Sequence, residues 1–248
     1  MEFKGKVAII TGAGGAGPGG LGVDYARALA NEGAAVVLSD MDGASAKRIA
    51  KELADQGHRA VGIAADVSDE QAVEAMVRET KSAFGGVDIL INNAGLCRGK
   101  WGQGIDLPTA DWIKIFAVNT VAPLVCTRAC RESMKARGGG VVINIASSAA
   151  FEENGAYSVT KTAVIAMTNL LSLELGGDNI RVNALSPGMM HGNVPSEQAA
   201  AYRDKQKLRR RGSPEDLIGA LLYLCSERSS FVTGMTLRVD GGVIHGHI

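Results

Sequence analysis

Short apolar runs alternate along this chain with longer stretches in which apolar and polar positions recur at helical spacing. The short runs predict strands at Val7–Ile10, Ala35–Ser39, Ala60–Ala64, Ile89–Asn92, Val141–Ala146, Arg181–Ser186 and Thr236–Val239. The longer stretches predict helices near Leu21–Asn31, Gly43–Gln56, Glu70–Phe84, Ala110–Met134, Ala156–Leu175 and Pro214–Ser226. Strands this apolar, without alternation, are expected to be buried on both faces, which implies a parallel sheet covered by helices. Gly33, Gly57, Gly85 and Gly176 stand where helical patterns stop and are expected as left-handed C-caps. No internal repeat, linker or composition shift divides the chain, and 248 residues suit one three-layer α/β domain spanning 1–248.

The stretch Ala156–Leu175 is more apolar than a sheet-covering helix needs. Ala156, Val159, Ala163, Val164, Ala166, Met167, Leu170, Leu171, Leu173 and Leu175 leave little polar face. A symmetric partner subunit would bury the surplus, and burial within its own domain is the alternative.

Composition narrows the function classes. Lysine plus arginine equals aspartate plus glutamate, 26 each, so no net field recruits nucleic acid or an anionic membrane. No apolar run is expected to reach the length of a bilayer span, and no secretion signal precedes the first strand, so a cytoplasmic protein is expected. Cys97, Cys126, Cys130 and Cys225 form no CxxC pair and are read as reduced thiols. His245 and His247 lack carboxylate or thiolate partners nearby, so they are read as a tail, and no metal is expected.

Chemistry enters with the glycine-crowded stretch 11–22, which follows the first strand and opens the first helix. Bare backbone there lets a dinucleotide pyrophosphate approach, and the helix N-terminus directs N–H groups at the phosphates. Gly12, Gly20, Leu21 and Gly22 frame this loop. Asp40 ends the second strand, where an acid accepts hydrogen bonds from an adenosine ribose and repels a 2′-phosphate. No lysine or arginine stands in the loop or at Met41, so NAD is favoured over NADP. Asp66-Val67 and Asn92-Asn93-Ala94-Gly95 end the third and fourth strands, at the edge where open sheets bind ligands. The pattern is that of a doubly wound, seven-stranded parallel Rossmann fold.

Tyr157 and Lys161 stand i, i+4, on one helical face. A free tyrosine titrates near pH 10, and a nearby ammonium lowers that value and makes the phenol a usable acid/base. Ser147 ends the strand just upstream, where its hydroxyl could bond a substrate oxygen. Asn119 lies inside a helical stretch, an awkward place for asparagine unless its amide has work. An ordinary strand-end turn and an ordinary polar helix residue are the plain alternatives for these two.

In these residues the chain resembles the classical short-chain dehydrogenases/reductases over essentially its whole length. The matching segments are Thr11-Gly12 with Gly20-Leu21-Gly22, Asp66-Val67, Asn92-Asn93-Ala94-Gly95, Asn119, Ser147, Tyr157-x-x-x-Lys161, Arg181-Val182-Asn183, Pro187-Gly188 and Val239-Asp240-Gly241-Gly242. The resemblance implies that Tyr157 is the catalytic acid/base and that Ser147 orients the substrate oxygen. It implies that Lys161 binds the nicotinamide ribose and lowers the tyrosine pKa, while Asn119 supports a water-mediated proton relay. Gly12, Gly20, Leu21, Gly22, Asp40, Asp66, Val67, Asn93, Ala94, Gly95, Pro187 and Gly188 are then cofactor contacts beside Tyr157 and Lys161. The implied function is NAD-dependent interconversion of a secondary alcohol and a ketone in a homo-oligomer, tetramer or dimer. The alternatives are an NADP(H)-dependent carbonyl or 3-oxoacyl-thioester reductase, or a non-catalytic nucleotide sensor.

The chain departs from the family pattern in three places. The glycine loop is longer by about four residues, with Ala16–Gly19 one placement of the insertion. The Ser147–Tyr157 interval is short, and Met189-Met190-His191-Gly192 replaces a common threonine after Pro187-Gly188. A short substrate lid is expected near 189–208. Trp101, Phe151, Met189 and Met190 hint at a partly apolar substrate, although packing explains any one of them equally well. Arg209-Arg210-Arg211 is read as a solvated or subunit-facing run.

Overall fold

The computed structural model describes residues 1–15, 20–97, 99–152, 155–190 and 206–243. Seven parallel strands form one sheet: β1 (Val7–Thr11), β2 (Ala35–Asp40), β3 (Ala60–Ala64), β4 (Ile89–Asn92), β5 (Gly140–Ile145), β6 (Ile180–Pro187) and β7 (Thr236–Val239). Their order is β3-β2-β1-β4-β5-β6-β7. The chain therefore winds outward from β1 in one direction and then outward from β4 in the other. The gap at that reversal is where open α/β sheets place ligands.

The described helices are α1 (Leu21–Asn31), α2 (Gly43–Asp55), α3 (Glu70–Phe84), α4 (Thr109–Phe116), α5 (Ala122–Ala136), α6 (Gly155–Leu175) and α7 (Pro214–Cys225). Their starts follow side-chain chemistry. Asp42 accepts from the Ser45 N–H at α2, Asp69 accepts from the Gln71 N–H at α3, and Ser213 with Asp216 forms a capping box at α7.

Alternate strand residues feed two cores. Ala8, Ile10, Val36, Leu38, Ile91, Ile143 and Leu185 pack with α1, α2 and α7. Ile9, Val37, Leu90, Val142 and Val182 pack with α3, α5 and α6. Each fully buried aliphatic side chain contributes about 1.5–3 kcal/mol by leaving water. The sandwich of two helical layers on one sheet thus has a core on each face. The edge strands β3 and β7 depart from the expected complete burial, because each has a neighbour on one side only.

Two helix ends differ from expectation. Gly33, Gly57 and Gly85 take the left-handed conformation, with φ of +92°, +91° and +86°. Gly176 does not; it opens a short 3₁₀ turn, and Asn179 is the left-handed residue, φ +57°. Asparagine is among the few residues besides glycine that visit that region, and here its amide is held from afar, donating to the Gly138 carbonyl at 2.8 Å.

The predicted helix Ala110–Met134 is interrupted. Ala117–Val121 forms a π turn between α4 and α5, so the helical path widens for one turn. The continuous stretch Thr109–Ala136 also exceeds the expected limit on apolar length. Its mean hydropathy of 1.3 over 18 residues is enough, by length and composition, to cross a bilayer. Here that apolarity serves the core: Ala122, Cys126, Cys130 and Met134 pack against the sheet.

Candidate active site

The glycine loop and the ends of β1, β2 and β4 come together at the reversal point. Thr11 Oγ1 accepts from the N–H groups of Asn93 and Ala94, both at 3.1 Å. Asn93 Nδ2 returns the contact to the Thr11 and Gly12 carbonyls at 2.9 and 3.0 Å. β1 and β4 are stitched together here so closely that side chains are excluded. A Cβ on Gly12 would lie 2.7 Å from Ala94 Cα, and one on Gly22 would lie 2.6 Å from the Gly12 carbonyl oxygen. Gly12 also holds φ at +66°, a conformation that favours glycine.

Asp40 faces this loop. Its carboxylate accepts from the Gly14 N–H at 2.8 Å and from the Asp42 N–H at 3.0 Å. A Cβ on Gly14 would stand 2.7 Å from the Asp40 carboxyl carbon, so glycine brings the loop backbone onto the acid. Gly20 precedes α1 without a side-chain cap, and the Val23 N–H donates to its carbonyl at 3.2 Å. Residues 16–19, one placement of the insertion, lie outside the described residues.

Asp66 is exposed at the end of β3, and its carboxylate accepts from the Ser68 N–H and hydroxyl at 2.9 and 2.7 Å. Those bonds hold its carboxyl below the usual range. Val67 beside it is buried. Gly95 continues the backbone from β4 toward Asn119 and Lys161, a Cβ there lying 3.4 Å from Asn119 Oδ1 and 3.8 Å from Lys161 Nζ.

Lys161 is buried within α6, and its Nζ donates to the Ile145 carbonyl at 2.6 Å. The ammonium stands 5.7 Å from the centre of the Tyr157 ring. Burial draws the lysine down to about 8, so it is still largely charged at neutral pH. Ser147 opens a 3₁₀ turn, Ser148–Phe151, and its Oγ accepts from the Ala149 N–H at 3.2 Å. Hydroxyls of α6 hold this turn against the helix: Ser158 Oγ donates to the carbonyls of Ala149 and Glu152, and Thr162 Oγ1 donates to that of Ala150 at 2.8 Å. The turn bearing Ser147 is thereby fixed relative to Tyr157.

Asn119 sits buried at the centre of the π turn. Its Oδ1 accepts from the Leu96 N–H at 2.7 Å, while Nδ2 donates to the Leu96 carbonyl at 2.9 Å and to Thr160 Oγ1 at 3.1 Å. Both ends of the amide are thus engaged, joining the β4 loop, the π turn and α6. Pro187 is buried at the end of β6, and the Gly188 N–H donates to the Val239 carbonyl at 2.9 Å.

The chain matches, over residues 14–244, the family model described as Enoyl-(Acyl carrier protein) reductase. It is 38% identical to dehydrogenase/reductase SDR family member 4 of Oryctolagus cuniculus, across 96% of this chain and 93% of that protein. The chain belongs to the short-chain dehydrogenase/reductase family. It is an oxidoreductase of that family. It is 37% identical to the (2S)-[(R)-hydroxy(phenyl)methyl]succinyl-CoA dehydrogenase subunit BbsD of Thauera aromatica, across 98% of both chains. Among solved structures it resembles a 7α-hydroxysteroid dehydrogenase complexed with NADH and 7-oxo glycochenodeoxycholic acid. That likeness has a TM-score of 0.91 and 33% identity over 99% of this chain and 96% of the other.

Two motifs shared with the short-chain dehydrogenases/reductases act on the surrounding frame. Arg181 donates to the carbonyls of Leu224, Ser226 and Val232, and Asn183 bonds Val232 and Met235, which together fasten the loop before β7. Asp240 accepts from Arg238 and from the Gly242 N–H, shaping a turn whose Gly241 carbonyl receives the Lys207 and Leu208 N–H groups. That turn packs against Gly188, where a Cβ would lie 2.6 Å from Asp240 Cα. No local pattern along the chain signals this clasp between distant segments.

Of the apolar candidates, Trp101 packs in one cluster with Leu96, Trp112 and Tyr157. Phe151 lies under the Arg238 guanidinium, 4.9 Å from its ring centre. Met190 is a core residue, 2% exposed, which explains it by packing, and Met189 beside it is half-buried. His191 and most of the expected lid, 191–205, lie outside the described residues, as do His245 and His247.

Proposed function

We propose that this enzyme interconverts a secondary alcohol and a ketone using NAD, with Tyr157 as the acid/base. The observation that carries the reading is the buried Lys161 ammonium, held by the Ile145 carbonyl at 5.7 Å from the Tyr157 ring. A positive charge kept dry beside a phenol stabilises the phenolate and brings its proton exchange toward neutral pH. In the oxidising direction Tyr157 takes the proton of the substrate hydroxyl, and in the reducing direction it returns one to the carbonyl oxygen. Ser147, opening the turn that α6 fixes, holds that oxygen.

The residues present fit a dinucleotide. Gly12, Gly14 and Gly22 make a cradle that any Cβ would fill, and the Asp40 carboxylate lies beside it. Gly20, Leu21 and Gly22 would meet the pyrophosphate, Asp40 the adenosine ribose, Asp66-Val67 the adenine, and Asn93, Ala94, Gly95, Pro187 and Gly188 the nicotinamide half. Bound nicotinamide supplies or accepts the hydride, and the protein's part is orientation and proton management. Asp40 favours NAD by repelling a 2′-phosphate, and the hydroxysteroid dehydrogenase relative was solved with NADH.

A second reading has its own support: the BbsD relative acts on a CoA thioester, which favours a hydroxyacyl-thioester substrate. We infer a homo-oligomer from α6, which leaves Val159, Leu170 and Leu173 exposed, the last at 82%. The test is a panel of secondary alcohols, steroidal and acyl-thioester members included, incubated with NAD⁺ and followed at the reduced nicotinamide band. Turnover of none, or saturation by NADP⁺ alone, overturns the reading.

A further inference from the structure

Strand register places four polar residues in one row across the sheet: Ser39 beside Thr11, Thr11 one step past the Ile10–Ile91 pair and so level with Asn92, and Asn92 beside Asn144. All four are buried, Ser39 and Asn144 completely. Registered neighbours of a parallel sheet point to the same face. This face also carries Ile9, Val37, Leu90 and Val142, which pack against α3, α5 and α6. The row therefore lies directly beneath the helices that bear Asn119, Tyr157 and Lys161.

The β4–β5 half of this row is joined to those helices by hydrogen bonds. Asn92 Nδ2 donates to Asn144 Oδ1 at 2.9 Å, and to the Pro123 carbonyl and Thr127 Oγ1 of α5 at 3.3 and 3.4 Å. Asn144 Nδ2 donates to Thr168 Oγ1 of α6 at 3.0 Å, and the Thr168 hydroxyl in turn donates to the Val164 carbonyl at 2.8 Å. The chain runs from the start of α5 through two strands to the middle of α6. Lys161 reaches the next residue of the same strand, Ile145, so α6 is bound to β5 at two points, two helical turns apart.

We propose that Asn144 and Thr168 are positioning residues for catalysis: with Asn92 they set the seat of α6 against the π-turn helix, and so the placement of Lys161 beside Tyr157. Buried amides and a hydroxyl in an otherwise apolar layer are directional, whereas the aliphatic contacts around them tolerate sliding. Near the ligand edge the two helices also meet through Asn119 and Thr120, which both bond Thr160. The asparagine chain fixes them a second time beneath, and two fixed points resist rotation where one does not. The proposal rests on Tyr157 being the acid/base.

The test follows the phenolate absorbance of the NAD⁺-saturated protein against pH, taking Tyr157 as the difference between each protein and its Tyr157→Phe counterpart. Thr168→Val, nearly the same shape, should move the Tyr157 midpoint up by about one unit, because the ammonium no longer holds its place. Thr168→Ser keeps the hydroxyl and should restore the native midpoint. Asn144→Leu, similar in size and uncharged but without the amide, should shift it in the same direction as Thr168→Val. A depressed Tyr157 midpoint in the parent protein that Thr168→Val leaves unmoved, with only the melting temperature falling, overturns the positioning role and leaves the acid/base reading standing. An ordinary tyrosine midpoint in the parent protein overturns both.

Discussion

The Lys161 ammonium lies 5.7 Å from the centre of the Tyr157 ring, and a bond to the Ile145 carbonyl holds it there. The i, i+4 spacing puts the two residues on one face of α6, while the strand carbonyl decides where the charge sits. Burial of the lysine makes that charge costly, and a phenolate at this distance would be stabilised by it.

Tyr157→Phe removes the exchangeable proton and keeps the ring. It is expected to bind NADH as the parent does, by fluorescence titration, and to lose at least about 100-fold in turnover. Full activity would remove the tyrosine from the chemistry.

The pH dependence of stability carries the mark of Lys161. Its folded pKa, about 8, lies below its unfolded value, so between about pH 8 and 10.5 the unfolded chain binds more protons. Stability contributed by this group therefore rises with pH through that window. Denaturant titrations should show the parent protein gaining on Lys161→Met as pH increases from 8 to 10, and a constant difference would contradict burial of the charge.

Asp40→Ala removes the acid proposed to accept from the adenosine ribose and frees the Gly14 N–H. We expect NADH affinity to fall roughly tenfold and NADPH affinity to rise, since a charge repulsion is lost. Paired titrations with the two reduced nucleotides decide it.

Asn119→Leu leaves the Leu96 N–H and carbonyl without their side-chain partners. The expected cost is about 1–3 kcal/mol in urea denaturation, together with lowered turnover. Unchanged stability would mean that the π turn holds without its central amide.

Leu173→Glu with Leu170→Glu places charge on the exposed face of α6. The variant should run as a smaller species in light scattering if that face joins subunits. An unchanged mass would assign the face to solvent.

Much of the frame was legible in the residues, because strands and helices here are local statements. Seven apolar runs appear as strands, with ends moved by a residue or so, and Leu21–Asn31 and Glu70–Phe84 form helices as the periodicity predicts. The glycine loop was legible as a cradle for the same reason: glycine and a following helix N-terminus are written in consecutive positions. Asn119 drew notice only as a misplaced amide. That it centres a π turn depends on Leu96 and Thr160, which no local pattern joins to it.

The sequence by itself determined the elements, the cofactor class and the i, i+4 pairing of Tyr157 with Lys161, since each follows from neighbours along the chain. Tertiary structure alone decided the strand order that sets Asn92 beside Asn144 and the reach of Lys161 to Ile145. It also decided the clasp of Lys207 and Leu208 on the turn after β7. These contacts join residues far apart in sequence, and their energy depends on distance and direction, which appear only once the sheet has assembled.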